Sequence, residues 1–339
     1  MSERPITQPP GAGRKADLGK DFGQRSLLTV DTEEEFDWNG PFTRDRHGVE
    51  HVPHIARFQQ MCEAMGVVPT YLVDWPIVQA PAAIELLGGA VKAGKAEVGI
   101  QLHPWVNPPF EEEVNERNSY VGNLPPALER DKFLRLRDAI AENFGTQPLI
   151  YRAGRYGLGP ETARLMRDAG VSVDSSVRAN FDYRGGYGPN YADHPLVPYW
   201  VEGGERDLLE LPLTTVYWGL LRRQGRLLNP LLDRIPRGRG VFSRLGLLER
   251  IALTPEGVTA EEALRGIDMA LDDGLPLLVL SFHSPSLAVG HTPYVRSEAD
   301  LERFYDWFER IYTYLEMRAV APTTVAEIAA AAGLRDACQ

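Results

Sequence analysis

The chain has 339 residues, 43% of them hydrophobic and 24% charged, with 36 Lys+Arg against 47 Asp+Glu and a formal charge of −11. This composition fits a globular protein with a large core, and the acidic balance excludes a general nucleic-acid binder, which needs a basic footprint. Cys62 and Cys338, far apart, exclude a disulfide framework, and the longest apolar run, at 275–282, is too short to span a bilayer.

Residues 1–24 are rich in Gly, Pro, Lys, Arg and Asp, lack periodicity and predict a flexible arm. They have no apolar stretch of the secretory kind, so the cytoplasm is the expected compartment. LLTV (27–30) reads as a buried strand ending at Asp31. A helix follows over 52–65, closed by Gly66, then a strand VVPTYLV (67–73) ending at Asp74. The next helix, 77–93, stops at Gly94 and leads to the strand EVGIQL (97–102). Residues 128–144 place Phe133, Leu136, Ile140 and Phe144 on one helical face, with Gly145 as the stop. LIY (149–151), a helix at 160–169, VSV (171–173) and LLELPL (208–213) continue the alternation. Thr259 with Glu262 forms a capping box that opens a helix through Leu271. The strand LLVLSF (277–282), a helix from Ser297 to about Leu315, and a short helix capped by Thr324 and Glu327 complete the chain.

Strands alternating with helices predict a parallel sheet with right-handed crossovers. About seven such units fit a distorted (β/α)7-type barrel, one α/β domain over 25–335 with insertions near 104–124, 181–205 and 219–258. In such a barrel the chemistry collects at the C-terminal ends of the strands. Here those ends carry Asp31 and Glu33, Asp74, Gln101 and His103, Arg152, Asp174, and His283. Acids, Arg and His aimed at one rim are what a hydrolytic or metal-assisted site requires.

The motifs resemble those of the NodB-homology polysaccharide deacetylases, in particular a WalW-like branch, over roughly residues 26–335. The family's opening motif is similar to Thr29-Val30-Asp31-Thr32-Glu33, and its Arg-Pro-Pro-Tyr motif to Tyr151-Arg152-Ala153-Gly154-Arg155-Tyr156. Its Asp-containing fourth motif is similar to Val173-Asp174-Ser175-Ser176, and its closing Leu-x-His to Leu280-Ser281-Phe282-His283. The resemblance implies Asp31 as general base, Arg152 paired with Asp31, Asp174 holding Arg152, and His283 as the acid that protonates the leaving amine. It also implies substrate contacts from Gln101, Trp105, Arg155 and Tyr156, and oxyanion support from backbone N–H groups around 154–156.

The second motif departs from the family. Members bind a divalent metal through two His spaced i,i+4 and the acid of the first motif; here those positions hold Gln101 and Trp105. One reading keeps a metal, zinc first, on Glu33, His103 and Asp74. The other has no metal, as in allantoinase-like members of the superfamily. Trp38, Trp75 and Tyr294 near the rim could stack on a sugar ring. His47, His51 and His54 are close in sequence but are not expected to hold a metal. The insertion at 220–240 is basic and apolar within an acidic chain, which suggests an anionic or lipid-linked substrate at the inner membrane surface.

The function implied is hydrolysis of a non-peptide amide, N-deacetylation of an amino sugar or glycan precursor in polysaccharide biosynthesis. The alternatives are a metal-independent, allantoinase-like cyclic amide hydrolase and a degenerate barrel that binds glycan without turnover.

Overall fold

The computed structural model describes residues 4–203, 207–232, 235 and 237–334. In chain order the elements are β1 (Arg25–Thr32), α1 (Ile55–Ala64), β2 (Thr70–Val73), α2 (Trp75–Gln79), α3 (Pro81–Lys92), β3 (Glu97–Leu102), α4 (Pro126–Phe144) and β4 (Ile150–Ala153). They continue with α5 (Thr162–Asp168), β5 (Val173–Asp174), β6 (Tyr199–Trp200), β7 (Leu209–Glu210), β8 (Thr215–Trp218), α6 (Gly225–Leu232), α7 (Gly238–Arg244) and β9 (Glu249–Ala252). The last are α8 (Ala260–Asp272), β10 (Leu277–His283), α9 (Glu298–Met317), β11 (Ala321–Pro322) and α10 (Val325–Ala331).

The main sheet runs β10-β1-β2-β3-β4-β5-β7-β6 and is parallel until β6, which pairs antiparallel with β7. Seven parallel strands curl into the expected deacetylase-type half-barrel. Irregular segments approach closure where strands do not: Leu213 N donates to Val177 O at 3.0 Å, Thr214 N to Val279 O at 3.3 Å, and Ser281 N to Leu253 O at 3.1 Å.

Strand alternation sorts side chains between two layers. Leu27, Leu72, Ile150, Val173, Leu209 and Val279 fill the barrel interior. Leu28, Val30, Tyr71, Tyr151 and Phe282 face the surrounding helices. Thr29 and Asp31 therefore share the interior face of β1, and Ser281 and His283 that of β10. Phe282 is wedged against Phe58 and Phe308, at ring separations of 4.8 and 5.3 Å, which anchors the strand that carries His283.

Several local expectations change. The single helix predicted at 77–93 is two, because Pro81 forces Ala80 into an extended conformation (φ −82°, ψ 116°). The expected flexible arm instead lies against the body: Ala16 and Leu18 join the interior cluster beside Val325 and Ile328, and Ile6 is buried. Helices α6 and α7 and strand β9 occupy the insertion near 219–258, where no element was predicted, and β9 pairs with β8 just before it. Both capping boxes, at Thr259 and Thr324, form as expected. No helix among the described residues is long and apolar enough to cross a membrane.

Candidate active site

β1 and β10 pair so that Asp31 and His283 are direct neighbours in register. His283 Nε2 lies 3.8 Å from Asp31 Oδ2. Asp31 Oδ1 accepts from Arg152 Nη1, across the barrel from β4. Arg152 is fully buried and every arm of its fork is used: Nη2 donates to Thr29 Oγ1 and Ser175 Oγ, both at 3.0 Å, and Nε to Ser175 O at 2.8 Å. A buried guanidinium held this way cannot swing away from the carboxylate it carries.

The expected Asp174–Arg152 contact does not form. Val173 and Ser175 face the interior, so Asp174 points to the helix side of β5. There it accepts from Ser176 Oγ at 2.7 Å and faces Glu210 of β7. Burial, with the Asp174 charge beside it, raises the Glu210 carboxyl well above its usual range. Ser175 is the group that holds Arg152.

His283 has a partner that no motif announced. Glu256, in the loop before α8, places Oε2 at 2.6 Å from His283 Nδ1 and accepts the His283 backbone N–H at 3.1 Å through Oε1. Burial opposes the charged ring, but Glu256, Glu33 and Asp31 together outweigh it and raise the His283 pKa to about 10. The imidazolium is therefore the resting form near neutrality, with its Nε2 proton facing Asp31.

Glu33, which ends the first motif, and Glu34 and Glu35, which follow it, divide three tasks among them. Glu33 faces the cavity; its Oε2 accepts from Gln101 Nε2 at 2.7 Å and lies 3.5 Å from His103 Nε2. Burial raises the Glu33 pKa to about 8, against the pull of His283 and His103. Glu34 lies on the far side of the His103 ring, with Oε2 at 2.8 Å from Nδ1, and takes Trp105 Nε1 on its other oxygen at 2.7 Å. Glu35 accepts from the His51 backbone N–H at 2.6 Å and lies 2.8 Å from His51 Nδ1, while His51 Nε2 meets Ser284 Oγ at 2.7 Å. His47 and His54 stay exposed and do not converge with His51.

The expected metal set of Glu33, His103 and Asp74 is split by the imidazole. Glu34 and Asp74 stand on the Nδ1 side, where with His103 their donor atoms lie within 4.8 Å of one another. That group is sealed: Asp74 Oδ1 caps α2 through Ile77 N at 3.0 Å, and Oδ2 accepts Glu34 N at 2.8 Å. Burial raises both carboxyls above their usual range. A carboxylate on Nδ1 is the arrangement that fixes a ligand histidine and leaves Nε2 free. The Nε2 side opens on the cavity and has a further donor: Gln101 Oε1 is buried without a hydrogen-bond partner, while its amide nitrogen sits at 2.7 Å from Glu33 and 3.3 Å from His103 Nε2. Glu33 and His103 Nε2 face each other there, and a half-turn of the Gln101 amide would exchange its nitrogen for the unpartnered oxygen; that carboxylate, imidazole and amide oxygen set suits a divalent cation with O/N ligands, so the residues fit a metal on the Glu33 side with the amide turned. Gly154 permits it, because a Cβ there would stand 2.4 Å from His103 Cδ2.

Asp31, Glu33, His103 and His283 line one cavity of about 350 Å³, and Arg152, Glu256 and Glu34 stand behind them. The predicted Gln101, Trp105, Arg155 and Tyr156 all reach it, as do Trp38 and Tyr294, but Trp75, Asp74 and Asp174 do not. Phe36, Phe42, Tyr120 and Tyr183 complete the aromatic wall. Arg155 and Tyr156 sit in the left-handed region (φ 56° and 61°), a strained turn of the kind found at functional sites. Arg178, unforeseen from sequence, also lines the cavity. Its guanidinium is packed between the rings of Tyr156 (5.4 Å) and Phe181 (4.1 Å) and donates to the Tyr183 hydroxyl at 3.3 Å.

No protein-family profile and no curated protein matches this chain. Solved structures do. Puue allantoinase is 16% identical over 97% of each chain, with a TM-score of 0.55. A probable polysaccharide deacetylase from Pseudomonas aeruginosa PAO1 is 16% identical over 97% of each chain, with a TM-score of 0.52. A candidate glycoside hydrolase/deacetylase of Parabacteroides distasonis is 10% identical over 89% of this chain and 70% of its own, with a TM-score of 0.57. These likenesses establish the fold, the curled α/β barrel.

Proposed function

We propose that the protein is an amide hydrolase that removes an N-acyl group, acetyl first, from an amino sugar or glycan precursor in polysaccharide biosynthesis. The observation that carries this is Asp31 facing His283 at 3.8 Å over a cavity, each locked by its own counter-charge, Arg152 and Glu256. Asp31 takes a proton from water as its oxygen attacks the acyl carbon. The C–N bond then breaks, and His283 gives its Nε2 proton to the departing amine. Transfer of the proton from Asp31 to the neutral ring, through solvent, restores both groups. Backbone N–H groups of the strained 154–156 turn support the oxyanion.

A divalent cation, zinc for this donor set, would be held by Glu33, His103 Nε2 and, with its amide turned, the Gln101 oxygen, and would supply Lewis-acid polarisation of the acyl carbonyl. Glu34 and Asp74 orient the His103 ring. The aromatic wall suits a sugar face. Among the described residues no carboxylate lies within 4 Å of Arg178, which favours a substrate carrying an anionic group, such as the phosphate of a carrier-linked sugar.

The test is acetate release from an N-acetylglucosamine oligosaccharide by zinc-loaded protein, beside Asp31→Asn and His283→Ala. Each substitution should lower kcat, measured per folded molecule because each also removes half of a buried ion pair, by on the order of 10²–10⁴. Full turnover in folded His283→Ala would sink the assignment. One observation favours a second reading: Trp105 stands where a second ligand imidazole is expected and spends its N–H on Glu34, leaving one imidazole at the site. Hydrolysis of allantoin by chelator-treated protein, with none of the oligosaccharide, would select that metal-independent reaction.

A further inference from the structure

Among the described residues, six of the most exposed large apolar side chains fall within one stretch of the insertion. Leu220, Leu227, Leu231, Ile235, Val241 and Leu245 are 49–83% exposed, whereas the others, such as Phe110 and Met317, are scattered. Helix α6 turns Gly225, Asn229 and Leu232 inward, at i, i+4 and i+7, and so directs Leu227 and Leu231 to solvent. In α7 and its cap, Val241 and Leu245 repeat that spacing on the outside. Scattered exposed leucines need no explanation; a clustered set does.

The charge around this patch is equally local. Residues 220–245 hold seven arginines, no lysine and one acid, in a chain of net charge −11. Arg223, Arg226, Arg237 and Arg244 are exposed between the leucines. The two short helices thus expose aliphatic tips and guanidinium groups that alternate along one stretch of chain. The patch also reaches the cavity wall: Arg226 Nε donates to Asn180 Oδ1 at 3.3 Å, and the next residue, Phe181, stacks on Tyr183 at 5.9 Å.

We propose that the α6–α7 face docks on an anionic lipid bilayer, with the leucines below the headgroups and the arginines among the phosphates. A bilayer supplies both an apolar layer and negative charge, the complement of this face. A second copy of the chain does not: a two-fold contact through this patch would set its arginines against one another. The reading holds whichever reaction the cavity performs.

The experiment is flotation of the full chain with vesicles of phosphatidylcholine alone or with 30% phosphatidylglycerol. Binding should be at least tenfold greater on the anionic vesicles and should weaken in 0.5 M NaCl. Leu227→Glu with Leu231→Glu, both at exposed positions, should lower it more than tenfold with an unchanged circular dichroism spectrum. Each Arg→Gln at 223, 237 and 244 should lower it about fivefold. Equal binding to both vesicles, no binding, or full binding by the double leucine variant would overturn the proposal. So would a dimer that the double variant converts to monomer while vesicles are ignored, since the face would then join two copies.

Discussion

Replacing Glu256 by Gln isolates the contribution of the carboxylate behind His283. The amide oxygen can still accept from Nδ1, 2.6 Å away, so ring orientation should survive while the charge is lost. The rise of the His283 pKa from 6.5 to about 10 corresponds to roughly 5 kcal/mol of net preference for the imidazolium. Glu256 is the nearest contributor, and removing a carboxylate in contact with a titrating group typically changes its pKa by about 1–3. The variant should therefore titrate at about 7–9, the remaining elevation coming from Glu33 and Asp31. NMR of labelled histidines measures this directly, because the chain has seven and the His283 signal is the one lost in His283→Asn. The titration belongs on chelator-treated protein, since a cation on Glu33 would add its own charge. A group that must be protonated loses activity as pH rises through its pKa, so the alkaline limb of kcat/KM should move down by the same interval in the variant. A wild-type His283 that titrates near 6.5, or a variant that titrates with the wild type, would refute the argument that Glu256 keeps the acid charged.

Three further outcomes follow from the same geometry. With its pKa at about 8, Glu33 is mostly protonated at pH 7, so zinc binding should release about one proton per ion; calorimetry in two buffers of different ionisation enthalpy reads the number, and zero release rules Glu33 out as ligand. Gly154→Ala should displace His103, and Glu34→Gln should leave it in place with weaker orientation; zinc affinity should be abolished by the first and reduced about 10–100-fold by the second, and equal losses in a competition titration would contradict the division between Nε2 and Nδ1. Glu210 binds its proton more tightly folded than unfolded, so stability should fall as pH rises above the ordinary carboxylate range; Glu210→Gln keeps a donor for Asp174 and should flatten the melting-temperature profile between pH 5 and 9, whereas parallel profiles would mean that Glu210 does not titrate there.

Much of the barrel was legible because local signals and burial agreed. The buried strands, the Gly stops and the two capping boxes each depend on a few neighbouring residues, and they stand where the periodicity put them. The polar strand ends were legible too, since residues that follow a buried parallel strand emerge at one rim. The exceptions were places where a single residue redirected the chain, as Pro81 did in splitting a helix, or where the partner lay far away in sequence. The packed N-terminal segment is of that second kind: Ala16 and Leu18 are unremarkable until the barrel interior receives them.

The sequence by itself determined which groups meet. Asp31, Arg152 and His283 end neighbouring or opposed strands, and strand order with the pleat brings them together. Tertiary structure alone decided what stands behind them. Asp174 exchanged Arg152 for Glu210 because the pleat of β5 turns Val173 and Ser175 inward and leaves it on the outward face. Glu34 and Asp74 went behind His103 while Glu33 went in front, a division that depends on the ring's orientation and not on spacing. Glu256 reached His283 from a loop 27 residues away, in a segment with no periodicity to announce it. Local sequence sets the direction in which a side chain leaves its strand; the partner it meets is set by loops whose paths depend on the packed whole.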